Sequence, residues 1–318
     1  MTDPIPGLRD VRAAAVVIAP YVARTPVMTS RTLDTRAGIA LYFKCENFQR
    51  IGAFKARGAH NAVLSIPLDE LSRGVVTHSS GNHAAALALA ARNAGTRAFI
   101  AMPRNAPKAK IASVERLGGA IEFCEPTLAA REACCAEIRQ RTCATLVHPY
   151  DDWRVITGQG TAALELVEEV PGLDAIVTPV GGGGLLAGTA IVGTGLGIEV
   201  HGTEPAAADD AYRSFLAGER QALASTTTIA DGLRASLGER PFEVIRRQVR
   251  GITTVSEDEI IAAMRLVWEV MKIVIEPSSA VPVAAMLSGR MPLAGRRVGV
   301  ILTGGNVDLD ALPWMRSA

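Results

Sequence analysis

From about Val75 onward, short apolar runs alternate with longer alanine-rich amphipathic stretches, and the two periods predict strands and helices in turn. The pattern predicts strands over 75–77, 98–102, 121–124 and 145–148, with helices over 82–94, 107–117 and 128–140 between them. Pro107 suits a first helical position, and Gly118 with Gly119 suits a stop. A second series follows, with a helix over 157–169, a strand over 174–180, a helix over 185–193 and a strand over 198–204. Helices over 257–271 and 278–288 and a strand over 297–303 close the chain. Such alternation predicts an α/β fold, with parallel sheets covered by helices. The polar, turn-forming run Pro149-Tyr150-Asp151-Asp152 separates the two series and marks a domain boundary. No long linker, internal repeat or low-complexity tract interrupts them.

Composition narrows the class. The chain has 318 residues, 48% of them apolar and 20% charged, which suffices for a substantial core. Thirty-three basic residues against 32 acidic ones leave a net charge of +1, so no basic footprint points to nucleic acid. Cys45, Cys124, Cys134, Cys135 and Cys143 form no C-x-x-C pair, which fits reduced thiols and a cytoplasmic location better than a disulfide framework. The start, Met1-Thr2-Asp3-Pro4, lacks the layout of a signal peptide. The uncharged stretch 175–198 is long enough to span a membrane. Its glycines at 181–184, 188, 193, 195 and 197 suit a strand, a tight loop and a helix instead, so no membrane anchor is expected.

Five segments could carry chemistry, each at a strand end or helix start, where open α/β sheets bind ligands. Gly181, Gly182, Gly183 and Gly184 follow a strand and open an apolar helix. Close backbone approach and free helix N–H groups there predict a phosphate site, although the spacing matches neither the Walker loop nor the dinucleotide fingerprint. In Gly52-Ala53-Phe54-Lys55-Ala56-Arg57-Gly58, Lys55 is either an exposed helix lysine or a partly buried amine made nucleophilic by a depressed pKa. His78-Ser79-Ser80-Gly81-Asn82-His83 is either a helix cap or a carboxylate cradle. Thr303-Gly304-Gly305-Asn306 suits a strand-to-loop turn, or a backbone passing close to a flat ligand. Glu204 to Asp210 offers carboxylates that either start a helix or hold a hard divalent cation.

Taken together and in this order, the five segments resemble the fold-type II pyridoxal-phosphate (PLP) enzymes, in the branch of serine racemase and serine/threonine dehydratase. Lys44-Cys45-Glu46-Asn47-Phe48-Gln49 and Glu276-Pro277-Ser278-Ser279 extend the resemblance over nearly the whole chain. It implies a tryptophan-synthase-β-like architecture of two three-layer αβα domains with the cofactor between them: a large domain of residues 1–70 and 152–318, and a small mobile one of residues 71–151. It also implies that Lys55 is the Schiff-base lysine and that Ser80 acts on the opposite face. Phe54, Asn82, the four glycines, Leu185 and Thr303 would hold PLP. Ser79, Ser80, Gly81, Asn82 and His83 would hold the substrate carboxylate, with Arg131 directed at a second one. Glu204, the Ala208 carbonyl and Asp210 would bind Mg²⁺, Mn²⁺ or Ca²⁺.

The activity so implied is elimination of water from serine, threonine or 3-hydroxyaspartate to give a 2-oxo acid and ammonia. The alternative is racemisation of serine or aspartate by the same two bases. A homodimer is expected by the same analogy. The chain departs from the animal racemases at Arg50-Ile51, where those carry Lys-Thr, and at Arg31, which replaces a serine. Lys110 and Asn306 remain, so an incomplete nucleotide-effector site is expected. Ala235 stands where the racemase has a carboxylate-contacting serine. Few residues follow the last motif, so no C-terminal regulatory domain is expected.

Overall fold

The computed structural model describes residues 4–79 and 81–315. Among the described residues ten strands form: β1 (Val27–Met28), β2 (Ala40–Cys45), β3 (Val75–His78), β4 (Ala98–Pro103), β5 (Ala120–Cys124), β6 (Thr145–Leu146), β7 (Ala175–Pro179), β8 (Glu199–Pro205), β9 (Gly251–Val255) and β10 (Arg297–Leu302). They make two sheets. One has the order β1-β2-β10-β7-β8-β9, parallel except for the antiparallel β1–β2 pair, and the other is parallel throughout, in the order β5-β4-β3-β6.

Successive side chains of a strand point to opposite faces, so a sheet buried on both sides needs apolar residues at every position. The central strands meet that demand. Val298, Val300 and Leu302 of β10 join one core cluster, together with Val281 and Ala284 of the helix Pro277–Leu287. Ile301, between them, joins Leu186 and Ala190 of the helix Gly184–Leu196 on the other face. In the smaller sheet, Ile100 and Met102 pack with Leu87 of the helix Asn82–Asn93, while Ala101 meets Ile138 of the helix Leu128–Thr142. Each sheet is therefore the middle layer of three.

The expected alternation is present with shifted ends. The helix Trp153–Glu169 starts four residues earlier than expected, because Asp152 caps it and accepts from Arg154 N at 2.8 Å. Pro107 is the cap of Lys108–Arg116 rather than its first residue, and β6 stops at Leu146. All five cysteines are free. Among the described residues no helix is long and apolar enough to cross a membrane, and 175–198 divides into β7, a glycine loop and a helix.

Parallel strands send their carboxyl ends to one edge. Here β3, β7 and β10 of the two sheets lead into Ser79, Gly181 and Thr303, which face a common cavity.

Candidate active site

The cavity measures about 620 Å³ and lies between the two sheets. Lys55, the first residue of the helix Lys55–Leu64, reaches into it and donates from Nζ to the Pro149 carbonyl at 2.8 Å. Burial lowers its pKa to about 8, an effect partly opposed by Glu276. The Phe54 ring sits beneath the amine, 5.1 Å from centroid to Nζ.

A buried ion quartet fixes the start of this helix. Arg57, fully buried, donates to Glu46 Oε2 at 2.7 Å and Oε1 at 2.8 Å, and to Glu165 Oε1 at 2.7 Å and Oε2 at 2.8 Å. Lys44, also fully buried, meets Glu165 Oε2 at 2.7 Å. Breaking such a set by removing one partner costs about 3–5 kcal/mol. Arg57 therefore holds the first turn of the helix, and with it Lys55, to the turn Glu46–Phe48 that follows β2 and to the helix Trp153–Glu169. On the same face Gly158 lets that helix approach closely, since a Cβ there would lie 2.7 Å from Gly58 Cα.

The glycine loop lines the same cavity. A Cβ on Gly182 would lie 2.3 Å from the Tyr150 ring, and one on Gly181 would lie 2.8 Å from Leu233 Cα. Gly183 has φ of +90°, in the left-handed region that favours glycine. The first helical bond runs from Ala187 N to Gly183 O at 2.9 Å, so the N–H groups before it have no partner within the helix. This is a cradle of backbone donors with no room for side chains, the arrangement an anion requires.

The flank is polar. Asn82 Nδ2 lies 3.2 Å from both oxygens of Glu276, and Asn82 Oδ1 accepts from Asn306 Nδ2 at 2.9 Å. The Thr303 and Ser279 hydroxyls are 3.0 Å apart. His83 is buried, with Nε2 3.3 Å from the Val147 carbonyl; burial and then the Lys55 charge hold it well below the usual histidine range. His78 is lowered to about 4, chiefly by burial and then by His148 and Arg131. The Arg131 guanidinium lines the cavity, touches the Thr127 carbonyl at 3.4 Å, and pairs with no carboxylate among the described residues. The cavity thus gathers Phe54, Lys55, Ser79, Gly81, Asn82, His83, Arg131, all four glycines, Leu185 and Thr303. Ser80 lies outside the described residues.

The model of the family described as pyridoxal-phosphate dependent enzymes matches residues 18–304. The chain belongs to this family. It is 50% identical over 312 residues to a beta-hydroxyaspartate dehydratase of Paracoccus denitrificans (strain Pd 1222), covering 98% of this chain and 99% of that one. The crystal structure of serine racemase from Dictyostelium discoideum superposes with a TM-score of 0.92 at 47% identity, over 96% of this chain and 100% of the other. A pyridoxal 5'-phosphate-dependent aspartate racemase matches with a TM-score of 0.92 at 36% identity, over 99% and 100%. The fold is fold type II, and the cofactor of the family is PLP. The residues present fit that group: an amine of lowered pKa shares the cavity with a loop of backbone N–H groups packed too closely against Leu233, Tyr150 and Pro241 to carry side chains.

Glu204, Ala208 and Asp210 lie away from the cavity. Glu204 is fully buried at the end of β8, accepts from Ala211 N at 3.1 Å and Tyr212 N at 2.8 Å, and is raised to about 9 by burial. Asp210 Oδ2 accepts from Leu237 N at 2.8 Å, while its buried Oδ1 has no partner among the described residues. Two buried carboxylates, one with an orphaned oxygen, fit a hard cation bound through oxygen. No group of three or more His, Cys, Asp or Glu side chains is placed to hold a metal ion among the described residues, so a backbone carbonyl such as that of Ala208 would have to complete the set.

Glu276 and Tyr150, named in the sequence only within the family resemblance and the domain boundary, also line the cavity. Glu276 occupies the N-cap position of the helix Pro277–Leu287, but its side chain makes no cap hydrogen bond and turns to Asn82 instead. Tyr150 packs on a glycine, which leaves no side-chain partner to signal the contact.

Proposed function

We propose that the protein is a PLP-dependent ammonia-lyase that removes water from a small β-hydroxy amino acid and releases a 2-oxo acid and ammonia. The observation that carries this reading is the Lys55 amine, depressed to about 8, in a cavity that the glycine loop also lines. PLP, when bound, supplies an electron sink for a carbanion at the substrate α-carbon.

The residues then divide the work. Lys55 holds the cofactor and takes the α-proton, which an amine neutral near pH 8 can do. The N–H groups of Gly181 to Leu185 would hold the phosphate, Phe54 and Asn82 would hold the ring, and Thr303 would offer the ring nitrogen a hydroxyl rather than a carboxylate. A hydroxyl would not hold a proton on that nitrogen as an anion would, so Thr303 would favour elimination of the β-hydroxyl over return of the α-proton. Ser79, Ser80, Gly81, Asn82 and His83 receive the substrate α-carboxylate. The β-hydroxyl departs with a proton as water, and the enamine released tautomerises and hydrolyses.

Among serine, threonine and 3-hydroxyaspartate, the dicarboxylate is favoured by Arg131, a guanidinium in the cavity wall without a carboxylate partner among the described residues. The relative named for beta-hydroxyaspartate supports the same choice. A second reading is racemisation, with Lys55 and Ser80 as the two bases, favoured by the likeness to solved structures of a serine racemase and an aspartate racemase. Release of 2-oxo acid, measured beside inversion of recovered substrate, separates the two.

We assign residues 1–70 and 152–318 to a large PLP-binding domain and 71–151 to a small mobile one, because each sheet carries its own core. Glu204, Ala208 and Asp210 would hold Mg²⁺, or Mn²⁺ or Ca²⁺, where the cation offsets two buried carboxylates. A cytoplasmic homodimer completes the reading.

A further inference from the structure

Glu276 ends the loop ahead of the helix Pro277–Leu287 and turns its carboxylate into the cavity wall, where it is 3% exposed. A carboxylate at that depth is ordinarily matched by a cation, since burial penalises its charged form. Here both oxygens share a neutral partner, Asn82 Nδ2, at 3.2 Å. The amide is pinned from its other end: Asn306 Nδ2 donates to Asn82 Oδ1 at 2.9 Å and to the Ile51 carbonyl at 2.8 Å, four residues before Lys55. Asn82 therefore cannot flip without turning its oxygen onto the carboxylate and its nitrogen onto another nitrogen.

Three charged groups face Glu276. Lys55 does so from its helix, Lys110 from the helix Lys108–Arg116, and Asp231 from the turn Asp231–Leu233, where it pairs with Lys110. Burial and the Asp231 charge raise the proton affinity of Glu276, and the Asn82 N–H and the Lys110 charge pull it back. The Glu276 charge in turn supports the protonated form of Lys55 against burial. An acid pushed up and a base pushed down thus occupy one wall, and the carboxylate has no other assigned task.

We propose that Glu276 is a positioning residue for the reaction: its carboxylate decides whether a proton resides at the Lys55 end of the cavity, and it locks the orientation of Asn82. As pH rises the proton leaves Glu276, and the carboxylate left behind holds a proton on the Lys55 nitrogen by charge. The inference rests on the reading that Lys55 carries the cofactor.

The test is a pH titration of the visible absorption band of the PLP-loaded protein, in the wild type, Glu276→Gln and Glu276→Asp. Glutamine keeps the shape and the contact with Asn82 while removing the charge; aspartate keeps the charge. The midpoint is expected to fall by about one pH unit in Glu276→Gln, the shift a nearby opposite charge produces, and to stay near wild type in Glu276→Asp. An unchanged midpoint in the folded Gln variant overturns the role. Should that variant not fold, the infrared difference spectrum of the wild-type holoprotein decides. A protonated-carboxyl stretch that disappears at lower pH than the midpoint of the visible band, leaving a carboxylate while the nitrogen still holds its proton, supports the proposal, and a stretch that persists through that midpoint overturns it. A wild-type protein without a visible band, or Lys55→Ala retaining one, would instead sink the assignment of Lys55.

Discussion

Lys55 Nζ donates to the carbonyl of Pro149 at 2.8 Å, joining the helix that carries the amine to the segment that leaves the four-stranded sheet. The bond uses one of the three protons of the ammonium, and burial disfavours the charge that remains. Protein stripped of PLP should therefore recapture it faster as pH rises, with a midpoint near 8 rather than the roughly 10.4 of an ordinary lysine. Stopped-flow absorbance across pH 6–11 checks this, and a rate still climbing steeply at pH 10 would contradict it.

The glycine cradle gives a steric prediction. In Gly182→Ala the new methyl would lie 2.3 Å from the Tyr150 ring, so loop or ring must move, at a cost of about 1–3 kcal/mol. Denaturant melts should show that loss, and equilibrium dialysis should show weaker PLP binding. Normal affinity together with a normal melt would mean the loop does not cradle the phosphate.

Arg131 divides the substrates. Arg131→Met should lower kcat/KM for 3-hydroxyaspartate by about 10- to 100-fold, the worth of a hydrogen bond to a charged group, and leave serine unchanged. Equal losses on both would show that Arg131 serves the fold rather than the second carboxylate.

The cation site predicts a thermal effect. A divalent ion at ~100 times its Kd adds about 2.7 kcal/mol, which for a chain of this size raises Tm by about 5 °C. Chelator should reverse the shift, and Asp210→Asn should remove the response to Mg²⁺. A Tm indifferent to chelator would refute binding at Glu204, Ala208 and Asp210.

Much of the fold was legible from Val75 onward, because buried parallel strands write their apolar residues consecutively and the helices between them keep their own period. The first 70 residues were not. In β2 a lysine, Lys44, interrupts the apolar run, and it is buried only because Glu165, far along the chain, meets it at 2.7 Å. The edge strand β9 is short and half-buried, so its residues carry little pattern. In the site, Lys55 and the four glycines were legible because their chemistry is local: an amine between apolar neighbours, and backbone freed of side chains. Glu276 was not, since its role comes from Asn82, 194 residues away, and a glutamate before proline at a helix start reads as a cap.

The account stands most directly on one measurement: 2-oxo acid release from every stereoisomer of serine, threonine and 3-hydroxyaspartate, with PLP and Mg²⁺ present, beside chiral analysis of the recovered substrate. Release of 2-oxo acid and ammonia in equal amounts, fastest from one isomer of 3-hydroxyaspartate and lost in Lys55→Ala, is the expected result. No release from any isomer, with or without inversion at the α-carbon, would contradict the lyase.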